Sequence, residues 1–205
     1  MSAGPHLDLP HVPVGLAAAP ADAGVRQHVD AATPRWLLPL ARALVVVNRA
    51  VMMLGMVALL AAALILSSSV VTRYFLHAST DWQDEASVFC LVGATFLCSA
   101  FVQAIRGHVG IEAVSSLLSA RVNRVRVAVV DVLCLAFCVF FAWKSCTLLH
   151  EAWAEGQTTS SSWAPPLWIP YLLMSLGMML LSLQLVVQVG ASVNRLRGVG
   201  DEGAR

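Results

Sequence analysis

The side chains that could do chemistry in this chain are few, and two of them lie in one apolar segment. Asp131 and Lys144 are about 20 Å apart along a helix, too far to pair with each other. A charge inside a membrane is a functional candidate by default. Lys144 could instead extend to the membrane surface, and Asp131 could meet Arg124 or a neighbouring helix. For both residues, a polar contact with another subunit also stays open.

Arrangements that would indicate catalysis, redox chemistry or metal binding are missing from the sequence. A transmembrane haem needs inward-facing histidines at matching depths, whereas His77, His108 and His150 fall at predicted helix ends. The cysteines lie in apolar segments without a C-x-x-C pair, as expected of packing residues: Cys90, Cys98, Cys134, Cys138 and Cys146. No H-E-x-x-H motif, serine-centred elbow or phosphate loop occurs. We therefore expect no enzyme, no cofactor, no metal site and no nucleic-acid partner.

The elements that position these residues are long apolar segments. The chain is 58% hydrophobic and 12% charged, whereas soluble domains carry about 25% charged residues. Crossing a bilayer core of about 30 Å takes roughly 20 apolar residues. The sequence therefore predicts an all-α membrane protein with four transmembrane helices in one domain, residues 50–189. The spans are expected at about 50–71, 84–105, 127–149 and 167–189.

Two segments beside the spans are predicted to lie at the membrane surface. In residues 34–49, Arg35, Arg42 and Arg49 recur every seven residues and share one helical face, which indicates an interfacial helix. The same pattern would suit the solvated start of one long first span. Residues 111–125, before the third span, place apolar residues at spacings of three and four, which indicates a second amphipathic helix.

The two ends of the chain are predicted to be cytoplasmic tails. Residues 1–33 are rich in Pro, Ala and Gly and are expected to be disordered, although a start site assigned too far upstream would look the same. Residues 190–205 form the second tail. Cytoplasmic segments carry the excess of basic residues, and only Arg73 falls in the two other connections. The remaining arginines beside the spans are Arg26, Arg35, Arg42, Arg49, Arg106, Arg121, Arg124, Arg126, Arg195, Arg197 and Arg205.

The connection between the first two spans carries polar residues suited to starting a helix. Thr80 and Gln83 fit a capping box, and Asp81, Asp84 and Glu85 place negative charge at a helix N-terminus. The second span is therefore expected to begin near Asp84.

Polar side chains near the cytoplasmic ends of the spans have a simpler interpretation. Gln103, Gln184 and Gln188 are placed where amides can reach lipid headgroups. Thr95 is expected to bond to its own helix backbone.

Several of these residues together resemble a signature of one bacterial family. Arg73 and Tyr74 follow the first span, and Trp82, Asp84 and Glu85 open the second. Their order and spacing resemble the small membrane subunit of tripartite ATP-independent periplasmic (TRAP) transporters. Residues 106–112, which include His108, and residues 156–177, with Pro166, Trp168 and Tyr171, are also similar. The resemblance covers about residues 50–189.

The resemblance implies a complex of three parts in the bacterial inner membrane. A periplasmic binding protein would deliver an organic acid anion to a large permease subunit, which would couple uptake to an ion gradient, usually of sodium. The small subunit would be a fixed scaffold for the permease and could help dock the binding protein. The sequence does not name the solute. An independent dimeric four-helix carrier is the main alternative, and a membrane enzyme is the third.

The family interpretation assigns structural or partner-contact roles to eight residues. They are Arg73, Tyr74, Trp82, Asp84, Glu85, His108, Asp131 and Lys144. Glu85 is predicted to cap its own helix and to approach Arg73. His108 is predicted to hold the turn after the second span, with a pH-sensitive contact to the large subunit as the other interpretation.

Overall fold

Four long helices form the described part of the chain. The computed structural model describes residues 30, 32–77, 79–105 and 120–202. We label the helices α1 (Leu38–Val71), α2 (Asp81–Ala104), α3 (Ala120–Ala154) and α4 (Trp168–Glu202). A short 3-10 turn, Arg35–Leu37, precedes α1, and a wider π-type turn, Thr72–Leu76, follows it. All four helices are long and apolar enough to cross a membrane. The prediction of an all-helical chain with four candidate spans is confirmed.

The helices run further than the sequence predicted. α1 continues through residue 49 without a break, so residues 38–49 and the first span are one helix. Its 34 residues give it a length of about 51 Å, well above the roughly 30 Å of a bilayer core. α2 begins at Asp81 rather than near Asp84. α4 extends to Glu202, so most of the predicted second tail is helical.

Three of the predictions fall on residues that are not described. The predicted first tail lies outside the described residues except at its last few positions, and so does most of the amphipathic segment at 111–125. His108 is also outside them.

The helices pack as a row in the order α1–α2–α4–α3 rather than in chain order. α2 packs against α1 and α4, and α3 packs against α4. The amino-terminal turns of α1 also reach α4, where Ala41 and Leu44 pack with Val187. α4 packs between two helices, whereas α1 lies at an edge of the row. Accordingly, 33% of the membrane-length apolar stretch of α4 is buried inside the structure, against 11% of the corresponding stretch of α1.

Small residues allow the helices of this row to approach closely. A Cβ built on Gly177 of α4 would lie 2.4 Å from the backbone oxygen of Phe96 on α2. A Cβ on Gly55 of α1 would lie 2.1 Å from Sγ of Cys98. Close backbone approach at small residues is the usual way in which membrane helices associate, because lipid tails supply no hydrophobic force between them.

Apolar side chains fill the contact between α3 and α4. Cys138 and Ala142 of α3 pack with Met178 and Leu185 of α4. Phe96 of α2 reaches across to this cluster, and its ring stacks on that of Phe141 at 6.4 Å between centroids. This layer lies between α2, α3 and α4, roughly midway along the helices.

The row has two distinct ends. We call the end with the α1–α2 and α3–α4 connections the loop end, and the other the terminal end. At the loop end, Asp81 accepts a short hydrogen bond from Ser162, which joins the two connections. The second connection is closed by an isolated antiparallel bridge between Thr158 and Pro166. The Trp153 and Trp168 rings meet edge to face at its base.

Candidate functional site

A polar cluster at the loop end joins the end of α1 to the start of α2. Nη2 of Arg73 donates to Oδ2 of Asp84 at 2.8 Å and to Oγ1 of Thr80 at 2.7 Å. Oγ of Ser69 donates to the other carboxylate oxygen of Asp84 at 3.0 Å. The Arg73 and Asp84 side chains are 64% and 46% exposed, so solvent weakens their attraction. The main effect of the cluster is therefore to hold the two helix ends in register.

This arrangement corrects two predictions about the connection. Arg73 pairs with Asp84 and not with Glu85. Successive residues of a helix point about 100° apart, and Asp84 is on the side of α2 that faces α1, whereas Oε2 of Glu85 is buried without a hydrogen-bond partner among the described residues. Thr80 makes no side-chain cap. Its hydroxyl accepts the Arg73 hydrogen bond instead.

The aromatic members of the predicted set are exposed beside this cluster. Tyr74 is 75% exposed and Trp82 is 51% exposed. The turn ends at His77, whose φ of 50° is left-handed. A shallow groove is lined by Leu66, Ser69, Val70, Arg73, Tyr74, His77 and Asp84. Its aromatic and cationic groups suit a membrane–water boundary.

A line of polar side chains on α4 makes the contacts near the terminal end. Oε1 of Gln184 accepts a hydrogen bond from Nδ2 of Asn48 on α1 at 3.1 Å. One turn further, Gln188 makes two bonds with Gln103 of α2. In one, its Oε1 accepts from the Gln103 amide, and in the other its Nε2 donates to the Gln103 carbonyl, both at 2.8 Å. These amides tie helices to one another, and so the expectation that they reach headgroups is wrong.

Ser192, the next polar residue in this line on α4, contacts α3, the third of the other helices. Oγ of Ser192 donates to Oδ2 of Asp131 on α3 at 2.8 Å, and both residues are buried. Asp131 therefore meets a neighbouring helix, which is one of the contacts that the sequence left open. Gln184, Gln188 and Ser192 are spaced by four residues, so they share one side of α4 while bonding α1, α2 and α3 in turn.

The described segment that precedes α1 is held against the end of α4. Arg195 pairs with Asp30, and Nδ2 of Asn194 donates to the Ala32 carbonyl at 2.9 Å. A Cβ on Gly190 would lie 2.6 Å from a methyl carbon of Leu37. α4 thus contacts the described segment before α1 as well as the three other helices.

Lys144, another of the predicted residues, lies on the outside of the row of helices. Its side chain is exposed, and Nζ lies 5.4 Å from the centroid of the Trp143 ring. α3 continues ten residues past it to Ala154, so Lys144 is further from the helix end than the predicted span implied. Asp131 and Lys144 are not brought together, as their separation along α3 requires.

Two of the contact residues were missed at the level of sequence. Asn48 and Ser192 carry no pattern of their own, although the spacing of four from Gln184 to Gln188 to Ser192 was available as a signal. Thr95 donates to the Leu91 carbonyl at 2.8 Å, which confirms that expectation.

Many polar side chains of the described helices make hydrogen bonds within or between helices. Among residues 30, 32–77, 79–105 and 120–202, no group of three or more His, Cys, Asp or Glu side chains could hold a metal ion. Most hydroxyls in the helices donate to their own backbone, as Ser145 does to Phe141 and Ser182 to Met178. The arrangement is that of four long helices joined by side-chain hydrogen bonds.

Comparison with known proteins places this unit in a family. Searches of curated proteins and of solved structures gave no match. The family model described as "Tripartite ATP-independent periplasmic transporters, DctQ component" matches residues 62–195, more than half of the chain. The match spans the last ten residues of α1, the Arg73–Asp84 cluster and the whole α4 line. The chain therefore belongs to the DctQ component family of TRAP transporters and is a membrane component of such a system.

Proposed function

We propose that this chain is the scaffold subunit of its transporter, and that it supports a large permease subunit without carrying the solute itself. The observation that supports this most directly is the polar line on α4. One helix is hydrogen-bonded to each of the other three, at successive turns. Such a row resists sliding and tilting of single helices, which is what a fixed support for a moving partner requires.

The strength of this bracing can be estimated from the contacts. Hydrogen bonds between membrane helices contribute about 0.6 kcal/mol each on average, so the four side-chain bonds of the line add about 2 kcal/mol. Backbone contact at Gly55 and Gly177 adds packing that only small residues allow. Neither contribution alone is large, but together they act on every helix of the row.

The proposal includes an orientation and a set of partners. The arginines at the terminal end support termini on the cytoplasmic side. The loop end would then face the periplasm of a bacterial inner membrane, where a binding protein delivers an organic acid anion. Ion-gradient coupling would belong to the permease. Trp82 and Asp81, both exposed at the loop end, would be available to the binding protein.

The test is reconstitution of the system from its parts. The tagged chain is expressed with the large permease, with an unrelated tagged four-helix protein as control, and the co-purified permease is measured. Uptake is then assayed in vesicles with the binding protein and an imposed sodium gradient. We expect permease only with this chain, and uptake only when all three parts are present. Uptake by vesicles that contain this chain alone would contradict the proposal and favour the dimeric carrier.

A further inference from the structure

The outer face of α3 combines large apolar side chains with one charged group. Phe137, Phe140 and Trp143 are 64%, 54% and 62% exposed along this edge helix. Lys144 is exposed beside them, with Nζ near the Trp143 ring. The outer face of α1, at the other edge of the row, carries no charge between Arg49 and Arg73. The outer faces of α3 and α1 therefore differ in charge, and so they suit different surroundings.

Lys144 lies deep in the apolar part of α3. It follows Arg126 by 18 residues and precedes His150 by six, which places it about 27 Å from one polar end of the segment and about 9 Å from the other. With a core of about 30 Å centred on this segment, its Cα is then roughly 9 Å from the middle and about 6 Å inside the nearer surface.

Packing supports the same depth. Phe141 stacks on Phe96, and Phe96 contacts Gly177, so these three residues mark one level of the row. That level is twelve residues from Asp84 along α2, or about 18 Å from the charged cluster at the loop end. Lys144 is only three residues beyond Phe141.

The direction of the side chain opposes escape to the nearer surface. Cα–Cβ bonds of a helix tilt toward its N-terminus, which for α3 is the terminal end. The nearer surface for Lys144 is at the loop end, so its side chain starts in the wrong direction for reaching lipid headgroups. A ring contact with Trp143 does not replace the hydration that an ammonium group loses at this depth.

Lys144 forms no ion pair with a carboxylate among the described residues. The nearest acidic residue along α3, Glu151, is seven residues away, or about 10 Å. Asp131 is 13 residues away on the same helix and is bonded by Ser192. The ion pairs of Arg73 with Asp84 and of Arg195 with Asp30 do not involve Lys144. A charged side chain within a membrane almost always faces protein or a polar cavity and pairs there. A carboxylate of another chain would meet this requirement.

We infer that the outer face of α3 around Trp143 and Lys144 is the surface on which the large permease subunit packs, and that the permease presents a carboxylate to Lys144 inside the membrane. This inference rests on the proposed function for the identity of the second chain. The uncharged outer face of α1 is left to contact lipid.

Photo-crosslinking maps the contact in the intact complex. A benzophenone amino acid replaces Trp143 in one variant and Leu60 of α1, which is 63% exposed, in the control. After irradiation in membranes, we expect an adduct with the permease from position 143 and none from position 60. An adduct of position 143 with lipid only, or with a second copy of this chain, would overturn the inference.

The charge is tested by substitution at Lys144 itself. Lys144→Met gives an unbranched side chain only one atom shorter and removes the charge, whereas Lys144→Arg keeps the charge. We expect Met to reduce the co-purified permease by at least about tenfold and Arg to keep it within about twofold, because the loss leaves a buried carboxylate unpaired. Unchanged thermal unfolding of the isolated Met variant shows that the chain itself is intact.

The outcomes separate this inference from the proposed function. Equal co-purification of the Met variant and the original chain would overturn the inference and leave the scaffold role standing. Failure of the original chain to co-purify with the permease would refute the scaffold role, and the inference with it.

Discussion

Replacing Gly177 with alanine tests whether α2 and α4 are held at backbone contact. The added Cβ would lie 2.4 Å from the Phe96 oxygen and 2.5 Å from its carbonyl carbon, whereas ordinary contact begins at 3.4 Å. The backbone of α2 cannot rotate away as a side chain can, so α4 must move by about 1 Å along this contact. Overpacking of this kind costs about 1–3 kcal/mol. Alanine returns at most about 1 kcal/mol through its better helix propensity.

We therefore expect Gly177→Ala to lower the free energy of unfolding by about 1–2 kcal/mol. Gly55→Ala is the matched control, because its Cβ would meet the Sγ of Cys98 at 2.1 Å and no other atom within 3.7 Å. A thiol can rotate or be removed, and so Gly55→Ala combined with Cys98→Ala should be at least as stable as the original chain. Phe96→Ala should not rescue Gly177→Ala, because the clashing backbone atoms remain.

The measurement is unfolding of the purified chain in detergent by titration with sodium dodecyl sulfate, followed by circular dichroism. Gly177→Ala within about 0.5 kcal/mol of the original chain would refute the backbone contact, since surface substitutions fall in that range. Rescue of Gly177→Ala by Phe96→Ala would also refute it, because the clash would then belong to the side chain.

Two further predictions concern the polar contacts at the two ends. In a double-mutant cycle of Arg73→Ala and Asp84→Ala, we expect a coupling of only about 0.2–1 kcal/mol that falls with added salt, because both side chains are substantially exposed; a coupling above about 2 kcal/mol in the same unfolding assay would contradict this. Gln184→Leu should cost about 1–3 kcal/mol, because it leaves Asn48, which is 1% exposed, without its partner. Adding Asn48→Leu should recover most of that loss, and a further loss of similar size would argue against the pairing.

The number and approximate positions of the apolar segments were predictable because bilayer thickness sets a length that composition reveals. The order in which the helices pack was not predictable from the sequence. It depends on which small residues meet, and neither Gly55 nor Gly177 carries any mark of its partner in the sequence. The capping pattern placed Thr80 just before the helix, and α2 does begin at Asp81 directly after it, although the Thr80 side chain makes no cap.

The loop-end cluster shows how much of a side-chain pairing can be predicted from residue types alone. Arg73 and an acidic partner across the connection were expected, but helix rotation selected Asp84 over its neighbour Glu85. At the terminal end, the glutamines were interpreted one at a time. The pairing of Gln103 with Gln188 depends on the contact between α2 and α4, which periodicity within a single helix does not contain.

The position of α4 between α2 and α3 has a consequence for biosynthesis. α1 and α2 can pair as soon as both have left the ribosome, because they are neighbours in the chain and in the row. α3 is made next, but its main packing surface is α4, which is synthesised last. The final helix must therefore enter between two helices that are already in the membrane, and nascent chains that stop before Trp168 leave α3 without the surface against which it packs.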